Sequence, residues 1–133
     1  MNILFLADPG SIHDIKWIEY MVSRSSGRIF LLPRQIHFTH ARIEGVHILT
    51  PIPNFSIVRF FQTILTAVRI GRIIKKYKID LIHILYAEPN ALWCLFSKYF
   101  KVPMIISARG TDVLKTIPET FTKNTGINIL VAP

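Results

Sequence analysis

The sequence predicts an α/β protein built on a mainly parallel sheet. Short apolar runs rich in Ile and Leu stand at Ile3–Ala7, Ile79–Tyr86 and Val102–Ala108, with the length and composition of strands buried on both faces. Segments with helical spacing separate such runs. The stretch from Asp80 to Asp112 reads as strand, helix, strand and polar loop, which makes a right-handed βαβ unit with parallel strands.

Taken in order, Ile3–Ala7 is the expected first, central strand. Asp8-Pro9-Gly10-Ser11 then turns the chain. Ser11 is placed to cap a helix, with Asp14 as the acid at the N3 position. Ile12, Ile15, Ile18, Tyr20 and Met21 give that helix an apolar pattern that fades near Ser25-Ser26-Gly27. Arg28 to Pro33 is a second strand and Gly45 to Leu49 a third, closed by Thr50-Pro51-Ile52-Pro53. Ser56 to Tyr77 is the longest helix, with Asn54 or Ser56 as its cap. Its apolar face is Ile57, Phe60, Phe61, Ile64, Leu65 and Val68 in the first half. It shifts to Ile70, Ile73, Ile74 and Tyr77 in the second. The slip falls at Gly71, so either the helix bends or both faces are covered. Glu88-Pro89-Asn90 opens the next helix, with Pro89 in its first turn. Ala91 to Phe100 carries Leu92, Leu95, Phe96 and Tyr99 at helical spacing. After Asp112 the pattern fades until Ile127 to Val131, a last apolar run. A chain closing on Asn-Ile-Leu-Val-Ala-Pro is expected to be cut rather than finished.

The chain has 133 residues, one domain's worth, of which half are apolar and 18% charged. Disorder is excluded on that basis. The net charge of +8 favours anionic partners. The basic residues are not interleaved with exposed aromatics on one element, so nucleic acid is an unlikely partner. Arg69, Arg72, Lys75, Lys76 and Lys78 gather at the end of the long helix. They form either a solvated helix end complementing the dipole or a basic surface that meets anionic lipid. Cys94, alone, reads as a small buried apolar residue and fits a reducing cytoplasm. No signal peptide is expected, because the first apolar run stops at Asp8-Pro9, and no segment offers about 20 uninterrupted apolar residues.

Ligands of parallel sheets sit beyond the carboxyl ends of the strands. Candidate site residues are therefore Gly10 and Ser11 in the first turn, near a phosphate, and His13 at the start of the first helix. Tyr86 and Glu88 follow one strand; Arg109, Gly110 and Asp112 follow the next. Arg supplies a fixed cation, Gly close backbone approach, and Thr111 and Asp112 hydroxyl binding or a cap, which suits a sugar or a phosphate. No catalytic residue is assigned among them. His83, in mid-strand, reads as a satisfied core histidine. His37, His40 and His47 lack metal-ligand spacing, and no metal site is expected.

Ser11-Ile12-His13 with Lys16-Trp17, then Asp80-Leu81-Ile82-His83 with Tyr86-Ala87, then Val102-Pro103 and Gly110-Thr111-Asp112, resemble in order the blocks of family 4 glycosyltransferases. The resemblance covers most of the chain. It implies the N-terminal, acceptor-side domain of a GT-B enzyme, a Rossmann-like three-layer sandwich and half of a GT-B architecture, over residues 1–133. It also implies a retaining, metal-independent transfer from a nucleotide-sugar, with no cofactor beyond that co-substrate, to a glycan or lipid-linked acceptor in cell-surface polysaccharide or glycolipid synthesis. Leu85 and Arg109 stand where the family pattern has histidines, and the first-turn glycine pair is absent. The C-terminal donor-binding domain is not in the chain, so the chain alone is expected to be inactive. The alternative is a stand-alone, non-catalytic module binding a sugar or nucleotide on the same strand ends.

Overall fold

The computed structural model describes residues 1–33, 43–53, 56–85, 90–109 and 128–132. Its elements are β1 (Ile3–Ala7), α1 (Ile12–Arg24), β2 (Ile29–Pro33), β3 (Val46–Ile48), α2 (Phe60–Tyr77) and β4 (Leu81–Leu85). A 3₁₀ helix (Asn90–Phe96), one α turn, α3 (Ser97–Phe100), β5 (Met104–Arg109) and β6 (Asn128–Ala132) follow. The strands form one sheet in the order β3-β2-β1-β4-β5-β6, with every neighbouring pair parallel. The chain moves outward from β1 to β3, then returns through α2 to β4 on the other side of β1. In sheets of this kind such a reversal places the ligand crevice beyond the carboxyl ends of the two strands, here β1 and β4.

Side chains alternate across a strand, so each strand feeds two cores. Leu4 and Leu6 of β1 and Ile82 and Ile84 of β4 pack under α2 and the 3₁₀ helix, with Ile70, Ile74, Trp93 and Cys94. Ile3, Phe5 and Ala7 face the other way and pack with Ile18 of α1 and Leu85. The result is the expected three-layer α/β sandwich. The buried Cys94 thiol is pushed up to about 12 by loss of solvent, which agrees with its reading as an apolar filler.

The long helix departs from expectation in three ways. It starts at Phe60, not Ser56, with Arg59 at the N-cap position and no side-chain cap. Ser56 instead ties the entry segment to the helix: its N–H donates to Thr63 Oγ1 (3.1 Å), whose hydroxyl donates back to the Ser56 carbonyl (2.7 Å). The face turned to the sheet is Thr63, Thr66, Ala67, Ile70, Ile73 and Ile74. Of the apolar residues expected to be buried in its first half, Ile57, Phe60, Phe61, Ile64 and Leu65 are exposed, Phe61 at 83% and Leu65 at 70%, and Val68 is half-buried. The helix runs unbroken through Gly71 from Phe60 to Tyr77. Gly71 has a packing role: a Cβ there would lie 2.9 Å from Tyr99 Cε1, so glycine lets α3 approach α2. Arg69 is not part of the free basic cluster. Its guanidinium donates to the carbonyls of Thr50 (2.6 Å) and Pro51 (3.0 Å) and fastens α2 to the segment after β3.

The segment after β4 also differs. Residues 90–96 wind as 3₁₀, so side chains three apart share a face. Trp93 stacks toward Phe96, ring centroids 6.1 Å apart, and Trp93, Cys94 and Phe100 are buried while Leu95 and Tyr99 are exposed. An α period applied to this stretch selects the wrong residues. Both helices on this face end on a lysine: Lys78 after α2 (φ 52°) and Lys101 after α3 (φ 57°) take the left-handed conformation usual for glycine. This costs about 1 kcal/mol or more at each.

At the same edge Asn2 joins three elements. Its Nδ2 donates to the Tyr77 and Lys78 carbonyls (3.0 and 3.1 Å), and its Oδ1 accepts from the Arg28 N–H (3.1 Å). Asp80 Oδ2 accepts from the Asn2 N–H at 2.7 Å. Carbonyls at the end of α2 are thus satisfied by a residue 75 positions away.

Candidate functional site at the carboxyl edge of the sheet

β1 delivers the chain to the crevice at Ala7 and the turn begins at once. Asp8 Oδ1 accepts from the Gly10 N–H (2.9 Å) and the Asp8 carbonyl from the Ser11 N–H (3.0 Å). This is an Asx-type turn. Ser11 caps α1 as its sequence position implies, its Oγ accepting from the Asp14 N–H at 3.4 Å. Asp14 is fully buried, and its Oδ2 accepts from the Asp8 N–H at 3.1 Å, reaching back past the cap residue. Two carboxylates therefore hold the turn rigid. The Gly10 N–H, which a phosphate cradle needs as a donor, is taken up by Asp8.

His13 is exposed in the first turn of α1. That turn carries the positive end of a 13-residue helix dipole to the carboxyl edge of the sheet. Gly10, Ser11 and His13 thus lie together at the crevice. β4 ends beside β1 and β5 beside β4, about 4.8 Å per strand step, at the same edge. The backbone of Arg109 is the last residue of β5 and pairs with Ala132. Tyr86, Glu88, Gly110 and Asp112 fall outside the described residues, as do His37, His40 and the Pro89 turn.

Beneath the edge, His83 is buried, with its Nε2 2.8 Å from Ser107 Oγ of β5. It stacks on Phe5 (5.2 Å between centroids) and meets the edge of Trp17 (6.2 Å). Loss of solvent lowers its pKa to about 4, so it is neutral near pH 7. It is a satisfied core histidine, packed between β1, α1 and β5. Leu85 lies two residues on, turned to the same face, and is buried. The described part of β4 therefore brings no imidazole to the crevice.

The sequence pointed to Ser11 and to Asp14 as an N3 acid, but not to Asp8. The signal for Asp8 was present in Asp-Pro-Gly, since aspartate at the first position of such a turn bonds the backbone two residues on. Among the described residues no group of three or more His, Cys, Asp or Glu is placed to hold a metal ion, and no helix is long and apolar enough to cross a membrane.

No curated protein matches the chain. The family described as glycosyl transferase 4-like matches residues 2–130, nearly the whole length, including the β1 turn, both strands that flank the crevice and the start of the last strand. With the parallel sheet and its reversal at β1 and β4, that match places the chain in the glycosyl transferase 4-like family.

Proposed function

We propose that this chain is the acceptor-side half of a retaining glycosyltransferase of GT-B architecture. In this reading the whole enzyme moves a sugar from a nucleotide-sugar to a glycan or lipid-linked acceptor in cell-surface polysaccharide or glycolipid synthesis. The observation that carries it is the reversal of strand order at β1 and β4 in a chain of this family, with the α1 N-terminus and His13 following β1 at the same edge where β4 and β5 end. His13, Tyr86, Glu88, Arg109, Gly110 and Asp112 line the acceptor side, and the Gly10-Ser11 turn borders the donor's phosphates. The Arg109 cation complements phosphate charge, and Glu88 and Asp112 accept from sugar hydroxyls. No metal takes part in this reading. Transfer needs both reactants held at attack distance, and this chain supplies one wall of the cleft. Alone it is therefore inactive. The enzyme works in the cytoplasm at the inner membrane leaflet, with the basic end of α2 toward anionic lipid, carried within residues 69–78 by Arg72, Lys75, Lys76 and Lys78 rather than by Arg69.

The test is to assay the purified chain against a panel of nucleotide-sugars, alone and fused to a donor-binding domain of the same family. The expected result is no turnover alone, turnover in the fusion, and loss of about a hundredfold or more with His13→Ala or Arg109→Ala. Turnover by the chain alone, or fusion activity indifferent to both substitutions, overturns the reading.

A further inference from the structure

α2 and α3 end side by side at the amino edge of the sheet, about 17 Å, a strand's length, from the crevice. Between them lies a cavity of about 750 Å³. Five of its lining residues are cations: Arg72, Lys75 and Lys78 from α2 and its cap, and Lys98 and Lys101 from α3 and its cap. None of its lining residues is acidic. The α2 C-terminus brings about half a negative charge and the single turn of α3 less, against five full positive charges, so the cavity is positive. Lys78 and Lys101 hold left-handed backbone positions where glycine is the unstrained choice, one on each side of the cavity. Gly71 removes the side chain that would hold Tyr99, another lining residue, away from α2.

The neighbouring surface is apolar. Phe61, Leu65, Val68, Arg72 and Lys75 recur at steps of four and three along one side of α2. That stripe is about 21 Å long and exposed at its apolar end by Phe61 and Leu65. α2 contains no Asp or Glu. A soluble phosphate has no use for that apolar stripe; a bilayer surface does.

We infer that the cavity between α2 and α3 receives the phosphate-bearing headgroup of an acidic glycerophospholipid, with Phe61 and Leu65 seated in the adjoining interface. This rests on the inner-leaflet reading above and adds to it a recessed site, half of which comes from α3, outside residues 69–78.

The experiment is cosedimentation of the full chain with vesicles of phosphatidylcholine alone or mixed with phosphatidylglycerol. Three proteins are compared: the wild type, Lys98→Gln/Lys101→Asn, and the charge-matched Lys16→Gln/Arg24→Gln on α1, outside the cavity and outside α2. Asparagine is chosen at 101 because it tolerates the left-handed cap, and thermal melts establish that all three fold. The expected result is retention on the acidic vesicles only, weakened about thirtyfold by the cavity variant and less than about threefold by the control. Equal loss in both variants overturns the recessed site and leaves general basic adhesion standing. No retention of the wild type, with a melt raised by pyrophosphate in the wild type but not in the cavity variant, overturns the lipid assignment for a soluble phosphate. Neither retention nor a pyrophosphate shift overturns both the site and the membrane reading.

Discussion

On the face of the sheet under α2, β1 and β4 present Leu4, Leu6, Ile82 and Ile84 to Ile70, Ile74 and the fully buried Trp93. On the face under α1 the same two strands present Phe5 and His83, and the neighbouring groups include Asp14, Trp17 and Ser107. The buried polar side chains under α2 are Thr63 and Thr66, and both hydroxyls bond backbone on or just before their own helix. Under α1 they bond across elements, Asp14 to the β1 turn and His83 to β5. Both faces are packed, but the α1 face adds a few directed bonds between elements, one of which holds the β1 turn. Packing tolerates approximate chemistry at the right volume, whereas directed bonds require particular atoms at particular places. The face that shapes the candidate site is the one with the exact requirements.

The sharpest way to break this comparison is Trp93→Ala. If the α2 face rests on packing, the loss is about 3–5 kcal/mol in urea unfolding, with little change on moving from pH 7 to pH 5. A loss under about 1 kcal/mol would refute it.

The α1 face is probed by pH. The native His83 has a pKa of about 4 against an ordinary 6.5, so between those values the unfolded chain binds the proton and the native state does not. Stability from this group is complete above pH 6.5, falls as pH drops through the window, and levels off below about 4. The expected loss is roughly 2–4 kcal/mol. His83→Gln keeps a partner for Ser107 and has no such proton, so its stability curve should be flatter over that range. An unchanged slope in the variant would remove His83 as the cause.

Ser11→Ala deletes the α1 cap and should cost about 1 kcal/mol, visible as a lower thermal midpoint. Because the same turn frames His13, the fusion enzyme should lose activity beyond what stability explains. The smallest effect is expected at Gly71→Ala. The gain in helix propensity, near 1 kcal/mol, is offset by displacing the exposed Tyr99 ring. A net change within about 1 kcal/mol, with weaker vesicle binding, would separate the groove from the core beneath it.

Much of the fold was legible because the buried strands are short apolar runs between breakers: β1 and β2 lie where the sequence places them to within a residue, and β5 within two. The α1 cap was legible because a serine followed by an acid three residues on serves a local need. The strand expected from Ile79 starts at Leu81 because the Ile79 N–H closes on the Ile74 carbonyl and ends α2. The second-half face of α2, with Ile70, Ile73 and Ile74, is buried as read, but the first half was misread because its apolar residues are exposed. Periodicity detects an apolar stripe but not which neighbour covers it. The 3₁₀ segment was misread because an α period was imposed on residues wound three to a turn. Of the candidate site, the first-turn cluster was legible, but the bond from Asp14 to Asp8 was not, since it depends on how α1 lies against β1.

The sequence by itself determined the α/β class, the parallel strands and the crevice side of the sheet, because these follow from local runs, breakers and connection chirality. Only the tertiary structure decided that Asn2 closes α2 across the chain, that Arg69 is spent on the Thr50 and Pro51 carbonyls, and that Lys98 and Lys101 complete a cavity with Arg72 and Lys75. Each of these is a meeting of residues distant in the chain. Such meetings are set by how the helices lie on the sheet, which a one-dimensional pattern does not specify.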